Sequence, residues 1–404
     1  MRILLANLAK MVGDSGGLAK VACRFANEME RRGHQVSILH SDEKLGAFFY
    51  PVSKSINCYN LKTKPDGSII KMPVYLILLR EIYRIFSKTG ARVFTSKFME
   101  KYLLDNMKHY VSISDPEIII AFQAATSKLL LCDNDVKIPV ITMFHGTPED
   151  PFNKNLPEEL TALAKSAVCQ VLLPPFALQL KELVPEIRTV VIGNVVPQFV
   201  ECADLSREKN IYKIIFVGAL NKARKRQHLL VQAFALLAAK YPDWVLELWG
   251  AATSKAYLKE LQFMIARSNL KDRILIKGVT SDIPKVLAGA DIFAFPSASE
   301  GFSLALTEAM SMGLPVVGSK NCISTSCLIN DGENGLLHDD SPDAIALTLE
   351  KLIENRELRI RLGTKARESV KRFAPGNIWD QWETLMQKLS HKSVIKTGTA
   401  DQVS

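Results

Sequence analysis

Two glutamates, Glu300 and Glu308, flank a Gly-Phe-Ser step in the stretch "PSASEGFSLALTEAMSMGLPVVGS". The apolar run "DIFAFP" just ahead of it reads as a buried strand, and the pattern after it predicts a helix from about Ser303. A strand that leads through Gly301, Phe302 and Ser303 into a helix presents backbone N–H groups with no intrahelical partner. Such groups bind anions at the positive end of the helix. Eight helical residues span roughly 12 Å, so the two carboxylates are too far apart for an acid/base dyad. One can accept from hydroxyls near a reacting centre and the other from hydroxyls on a distant part of an extended ligand. Carboxylates for vicinal hydroxyls, with N–H groups and a lysine for phosphate between them, describe a sugar–diphosphate–ribose. The plain alternative for Glu308 is a capping or salt-bridging helix glutamate.

Three other stretches carry suitable chemistry at the same kind of position, after a strand and before a helix. In "GDSGGLAK", Gly16 and Gly17 would let bare backbone approach an anion at a helix start; a tight structural turn explains them equally well. In "FHGTPED", His145 ends the strand "PVITMF" and can donate to a ligand oxygen or hold charge there. In "FVGALNKARKRQHLL", Lys222, Arg224, Lys225 and Arg226 crowd a loop in a way that suits a di- or triphosphate. Not all of these cations can reach one ligand, so some must be surface charge.

Elements that position such loops recur along the whole chain. Short Val/Ile-rich runs ("RILLAN", "QVSILH", "EIIIAF", "PVITMFH") alternate with helical patterns, the signature of parallel βαβ units. The rhythm lapses in the polar stretch "PQFVECADLSREKN" and resumes with "YKIIFVGAL", "VLELWG", "RILIKG", "DIFAFPS" and "LPVVGS". With 404 residues, two domains are the natural division. We expect an α/β protein of two doubly wound parallel-sheet domains. The first would span residues 1–200 and the second 210–375. A helix over 376–390 would pack back toward the first domain, followed by a loose tail over 391–404.

Composition narrows the class. The apolar and charged fractions are those of a globular protein, and the net charge of +9 favours anionic partners without selecting one. No run has the roughly 18 apolar residues of a membrane span, and "MRILLANLAK" is too soon interrupted for a signal peptide. The seven cysteines are scattered without a C-x-x-C pair, which points to reduced thiols and a cytoplasmic setting. Residues 62–108 hold ten Lys/Arg against four Asp/Glu around "VYLILLREIYRIF". That segment reads either as a helix with a solvated basic face or as a contact with an anionic membrane on the inner face of the plasma membrane.

The glutamate stretch resembles the signature of the family 4 retaining glycosyltransferases, which have the GT-B arrangement of two Rossmann-like domains facing a central cleft. "GGLAKVACRFANEMERRGHQV", "FHG", "VIGNVVPQF", "FVGAL…RKRQHLLVQAFALL", "GVTSDIPKVLAGADIFAFPSASEGF" and "LINDGENGLL" support the resemblance, more closely in the second half than in the first. It implies that Glu300 contacts the donor sugar hydroxyls and Glu308 the ribose. The backbone of Gly301, Phe302 and Ser303 would meet sugar and diphosphate, Lys225 the diphosphate, Gly17 the phosphate end, and His145 the donor sugar and acceptor. Glu300, His145 and Lys225 are thereby assigned to catalysis. Ala219 stands where many members have a phosphate-binding arginine, and Lys222 or Arg224 would replace it in the donor site.

A nucleoside diphosphate is a good leaving group, so no general acid of the glycosidase kind is required. Charge developing on the leaving phosphate would be stabilised by Lys225 and the helix start, with no metal and no cofactor beyond the UDP- or GDP-linked donor. The expected reaction moves a sugar to a hydroxyl of a glycan or glycolipid acceptor, as in bacterial lipopolysaccharide or capsule biosynthesis. Nucleic acid is not an expected partner. The rival from another class is a nucleotide-sugar 2-epimerase of the same fold, acting on the donor alone. A dinucleotide oxidoreductase is disfavoured because no G-x-G-x-x-G follows the first strand.

Overall fold

The computed structural model describes residues 1–14, 16–148 and 156–398. The chain divides into two compact units, Met1–Gly193 with Trp379–Ser404, and Asn194–Ile378.

The first unit is built on a seven-stranded sheet. In chain order its strands are β1 (Arg2–Asn7), β2 (Gln35–His40), β3 (Asn57–Asn60), β4 (Ile118–Ala121), β5 (Val140–Phe144), β6 (Val168–Val171) and β7 (Thr189–Val191). Their spatial order is β3-β2-β1-β4-β5-β6-β7, with every neighbouring pair parallel. The second unit has β8 (Tyr212–Val217), β9 (Trp244–Trp249), β10 (Ile274–Gly278), β11 (Ile292–Phe295), β12 (Val316–Ser319) and β13 (Leu336–His338). They form a parallel sheet in the order β10-β9-β8-β11-β12-β13. In both sheets the strand order reverses beside the first strand, between β1 and β4 and between β8 and β11. In open α/β sheets the loops beyond the carboxyl ends at such a switch point hold the ligand.

The apolar runs become central strands because helices cover both faces. β4, β5 and β11 are buried along their whole length, which accounts for runs without polar alternation. On one face of the first sheet, Leu4, Leu39 and Ile119 pack with Phe98, Leu103 and Met107 of the helix Lys88–Ser114. The terminal helix, Pro375–Gly398, returns to the first unit through Trp382, whose ring meets Phe25 edge-on at 5.0 Å. Glu383 fixes it there by taking Arg32 at 2.7 Å and His34 at 3.0 Å.

Two stretches differ from the sequence-based expectation. Residues 198–210 lie within the second unit: Ala203 N donates to Met312 O at 2.8 Å, and Lys209 pairs with the buried Asp291 at 2.8 Å. Their polar residues are spent on backbone and carboxylate partners, which composition alone does not distinguish from a solvated linker. Residues 391–398, expected to be loose, continue the terminal helix as far as Gly398; residues 399–404 lie outside the described residues.

Candidate functional site

In the second unit the two loops at the switch point are joined directly. The loop after β8 turns on Asn221, whose Oδ1 accepts from Arg224 N at 2.9 Å and whose carbonyl accepts from Lys225 N at 2.9 Å. Buried Gln227 closes the turn, donating to Ala219 O at 2.9 Å and accepting from Asn221 N at 3.2 Å. The carbonyl of Arg224 then accepts from Ala298 N, in the loop after β11, at 2.7 Å. Gly250 makes the close approach behind this loop possible. Its φ is +143°, and a Cβ there would fall 2.0 Å from Gly218 O, a distance no side chain tolerates.

Across this junction Lys225 Nζ lies 2.6 Å from Glu300 Oε1, and both side chains are largely buried. The pair is an ion contact rather than a well-aimed hydrogen bond, since Oε1 has no aligned donor. The lysine also sits 4.8 Å above the centre of the Phe295 ring, which holds the ammonium in place from below. Nearby, the Cys322 thiol is raised above its ordinary range by burial, with the charge of Glu300 adding to the effect. A lysine and a glutamate that hold each other here are two groups that a ligand with an anionic and a hydroxyl-bearing part can separate.

The other three cations of the loop are committed elsewhere. Lys222 reaches out to Glu260 at 2.6 Å, on the helix Lys255–Arg267. Arg226, in a left-handed conformation with φ +52°, pairs with Asp340 at 2.8 Å. Asp340 also accepts from Ser319 at 2.6 Å and Asn321 at 3.0 Å. Burial acts to raise its carboxyl, but these donors outweigh burial and hold it below the usual carboxylate range. Arg224 is engaged as well. Lys225 is therefore the cation of the loop that faces Glu300. Ala219 has no side-chain donor for a phosphate, and its carbonyl is taken by Gln227.

The helix after the glutamate begins one residue later than expected, at Leu304, and ends at Ser311. Ser303 is its left-handed N-cap, φ +37° and ψ +60°. The Ser303 hydroxyl does not cap the helix but bonds Ser324 Oγ at 2.8 Å. Phe302 is 3% exposed and meets Phe373 edge-on at 4.9 Å. The side chains of Phe302 and Ser303 thus anchor the turn inward, which leaves their backbone N–H groups, with those of Gly301 and the first helical turn, as what the site can offer an anion. Glu308 is the fifth residue of this helix, buried, and engaged. It sits roughly 6 Å along the axis from Leu304, about half the displacement that a helix starting at Glu300 would give.

In the first unit, His145 follows β5 and stacks on Phe122, 5.6 Å between centres and 15° between planes. Its Nε2 is enclosed without a hydrogen-bond partner. Burial lowers its pKa to about 4, so at neutral pH the ring is uncharged, and of the two roles the sequence allowed, only hydrogen bonding is open to it. The rest of "FHGTPED", from Glu149, falls outside the described residues. Gly17 is the first residue of the helix Gly17–Arg31. Ahead of it, Asp14 Oδ1 accepts from Gly16 N at 3.1 Å; Ser15 lies outside the described residues.

Some chemistry was invisible in sequence. His40 and Asp42, at the end of β2, form a buried pair at 2.9 Å; an H-x-D spacing at a strand end was the available signal. The chain also holds one Asp-x-Asp triplet, Asp133-Asn134-Asp135. Its carboxylates are taken by Lys128 at 2.8 Å and Lys137 at 2.6 Å. Among the described residues, no group of three or more His, Cys, Asp or Glu side chains gathers as a metal site. The stretch "LINDGENGLL" is structural: Asn334 donates to Leu328 O and to Ser369 Oγ, both at 3.0 Å.

This fold, with its loop pair at the second switch point, is that of the GT-B glycosyltransferases. HepE of Anabaena, solved with UDP and glucose, superposes with a TM-score of 0.68 over 95% of this chain and 99% of that one, at 19% identity. Residues 198–369 match the family described as glycosyl transferases group 1. N-acetyl-alpha-D-glucosaminyl L-malate synthase of Bacillus anthracis is 25% identical over 92% of this chain and 93% of its own length. The lipopolysaccharide core biosynthesis mannosyltransferase LpsB of Rhizobium meliloti is 37% identical over 26% of this chain and 31% of its own. The chain spans under half the length of the first curated relatives it matches.

Proposed function

We propose that the protein is a retaining glycosyltransferase that moves a sugar from a UDP- or GDP-sugar to a hydroxyl of a glycan or glycolipid, in bacterial lipopolysaccharide or capsule biosynthesis. The observation that carries this reading is the Lys225–Glu300 contact beside the helix start at Leu304. On binding, the diphosphate takes Lys225 and the N–H groups of Gly301, Phe302 and Ser303. Glu300, released from the lysine, accepts from hydroxyls of the transferred sugar, and Glu308 accepts from the ribose. As the sugar–phosphate bond breaks, negative charge grows on the phosphate oxygen that faces Lys225 and the helix dipole, where it is stabilised most. That oxygen then takes the acceptor proton on the same face, and the configuration is retained without a protein nucleophile. Neutral His145 serves as a hydrogen-bonding group toward sugar or acceptor, and Gly17 faces the phosphates. Lys222 and Arg224 belong to the donor site only if they leave the partners they hold.

Membrane contact is part of the same proposal. The helix Val74–Phe86 buries Leu76 while Leu78, Ile82, Ile85 and Phe86 are exposed, the last two more than 80%. Arg84, Lys97 and Lys101 stand exposed on this helix and the next. An apolar face bordered by cations fits an anionic bilayer surface. Among the described residues no helix is long and apolar enough to cross a membrane.

The test is a panel of UDP-, GDP- and ADP-sugars with nucleotide release measured for wild type and Glu300→Gln, with and without EDTA. Release that needs acceptor, survives EDTA and falls in the variant supports the reading. Donor turnover without acceptor would favour the epimerase, and no release from any donor would defeat both.

A further inference from the structure

We propose that the cavity at the ends of β2 and β3 holds the acceptor as an acidic saccharide, a pyranose ring bearing a carboxylate or a phosphate. The inference rests on the glycosyl-transfer reading for the word acceptor; the chemistry of the cavity stands by itself.

The cavity encloses about 610 Å³ within the first unit, a volume typical of small-molecule sites. β2 and β3 end in register, His40 opposite Asn60, and the segment that returns between them folds over the opening. Part of its wall is aromatic. Tyr59 and Tyr110 are stacked, 4.9 Å between centres and 21° between planes, and Phe48 meets the His40 ring edge-on at 5.0 Å. Flat aromatic faces suit the C–H face of a pyranose ring.

The polar groups are few and placed. Asp42 accepts at its two oxygens from His40 Nδ1 at 2.9 Å and from Met11 N and Val12 N, both at 3.1 Å. Burial works to raise its carboxyl, yet these donors prevail and keep it ionised. With Nδ1 turned to Asp42, Nε2 is the ring nitrogen left to meet a sugar hydroxyl. Charge selects the remaining group of the ligand. No carboxylate lines the cavity, and Lys44, which does, has no ion-pair partner among the described residues. Its neighbour Glu43 is already taken by Lys62 at 2.9 Å. Lys44 is exposed, so an acidic substituent beside a sugar ring can meet it without displacing a protein partner.

The position agrees with an acceptor role. Val12 lines the cavity and bridges to Phe48, and it lies on the loop that leads to Gly17. A ring in the cavity therefore sits beside the loop assigned to the donor phosphates.

The test is saturation-transfer NMR on the full chain with methyl β-glucuronide, glucose 6-phosphate and methyl β-glucoside, using wild type, Lys44→Ala and Tyr59→Leu. At least one acidic sugar is expected to bind fivefold or more tightly than the glucoside. Lys44→Ala should erase that preference, and Tyr59→Leu should weaken every ligand. Acidic sugars that bind no better than the glucoside, or whose binding ignores Lys44→Ala, overturn the proposal, as does no binding at all. UDP and GDP titrations run alongside report the donor site: acidic-sugar binding without binding of either nucleotide sinks the transferase reading and leaves the cavity assignment intact.

Discussion

Replacing Lys225 by methionine separates what the lysine does for the fold from what it does for the reaction. The methionine chain keeps the packing on Phe295 but leaves Glu300 without the cation 2.6 Å away. Breaking a fully buried pair from one side costs about 3–5 kcal/mol. Here a fifth of the lysine and about a seventh of the glutamate reach solvent, so we expect about 2 kcal/mol. For a domain of this size that lowers the melting transition by roughly 4–8 °C. Loss of a donor to the leaving phosphate costs about 2.7–4 kcal/mol in the transition state, or roughly 100–1000-fold in kcat. Denaturant melts and nucleotide-release kinetics read the two effects separately. The double variant Lys225→Met with Glu300→Gln should recover most of the stability, since no charge is then stranded, but none of the turnover. A Lys225→Met protein that is destabilised yet turns over within threefold of wild type would show that the lysine is a structural partner of Glu300, and the phosphate assignment would fail.

Three further outcomes are expected. Gly250→Ala forces a methyl to within 2.0 Å of Gly218 O, so it should cost several kcal/mol, on the scale of strained or overpacked sites; a melting temperature unchanged by this substitution would show that the loop after β8 yields freely. Because burial depresses the His145 pKa to about 4, the unfolded state binds the extra proton first as pH falls below about 6.5. The stability given by the neutral ring is therefore complete above pH 6.5 and is lost toward pH 4, by about 3 kcal/mol, so the gap between wild type and His145→Asn in urea melts should narrow over that window; parallel curves would contradict it. In a vesicle flotation assay the protein should associate with phosphatidylglycerol-containing vesicles and not with neutral ones, and Ile82→Asp with Phe86→Asp should abolish this; equal flotation with both lipids would remove the membrane contact.

The sequence was most legible where one segment determines its own structure. "DIFAFP" and "PVITMFH" become buried strands because their apolar runs leave no polar face, and "SASEGF" lies at a strand's end because β11 stops at Phe295. Partnerships across the chain were hidden. Lys222 and Lys225 read alike in "NKARKRQ", yet one turns to Glu260 and the other to Glu300, a choice made by the helix and loop that pack beside them. The helix start was placed too early because a left-handed Ser303 needs its buried hydroxyl partner, Ser324, to be favourable, and that partner is twenty-one residues away. His40 and Asp42 looked like ordinary strand-end residues until Met11 and Val12 folded back onto the carboxylate.

We propose above that the loops at the second unit's switch point hold a nucleotide sugar by Lys225, the Gly301–Ser303 backbone and Glu308. A crystal structure of the protein soaked with UDP tests it most directly. The diphosphate is expected within hydrogen-bonding distance of Lys225 Nζ and the helix start, the ribose hydroxyls on Glu308, and the Lys225–Glu300 contact opened. UDP bound at another place, or a Lys225–Glu300 pair left intact beside bound UDP, would contradict it.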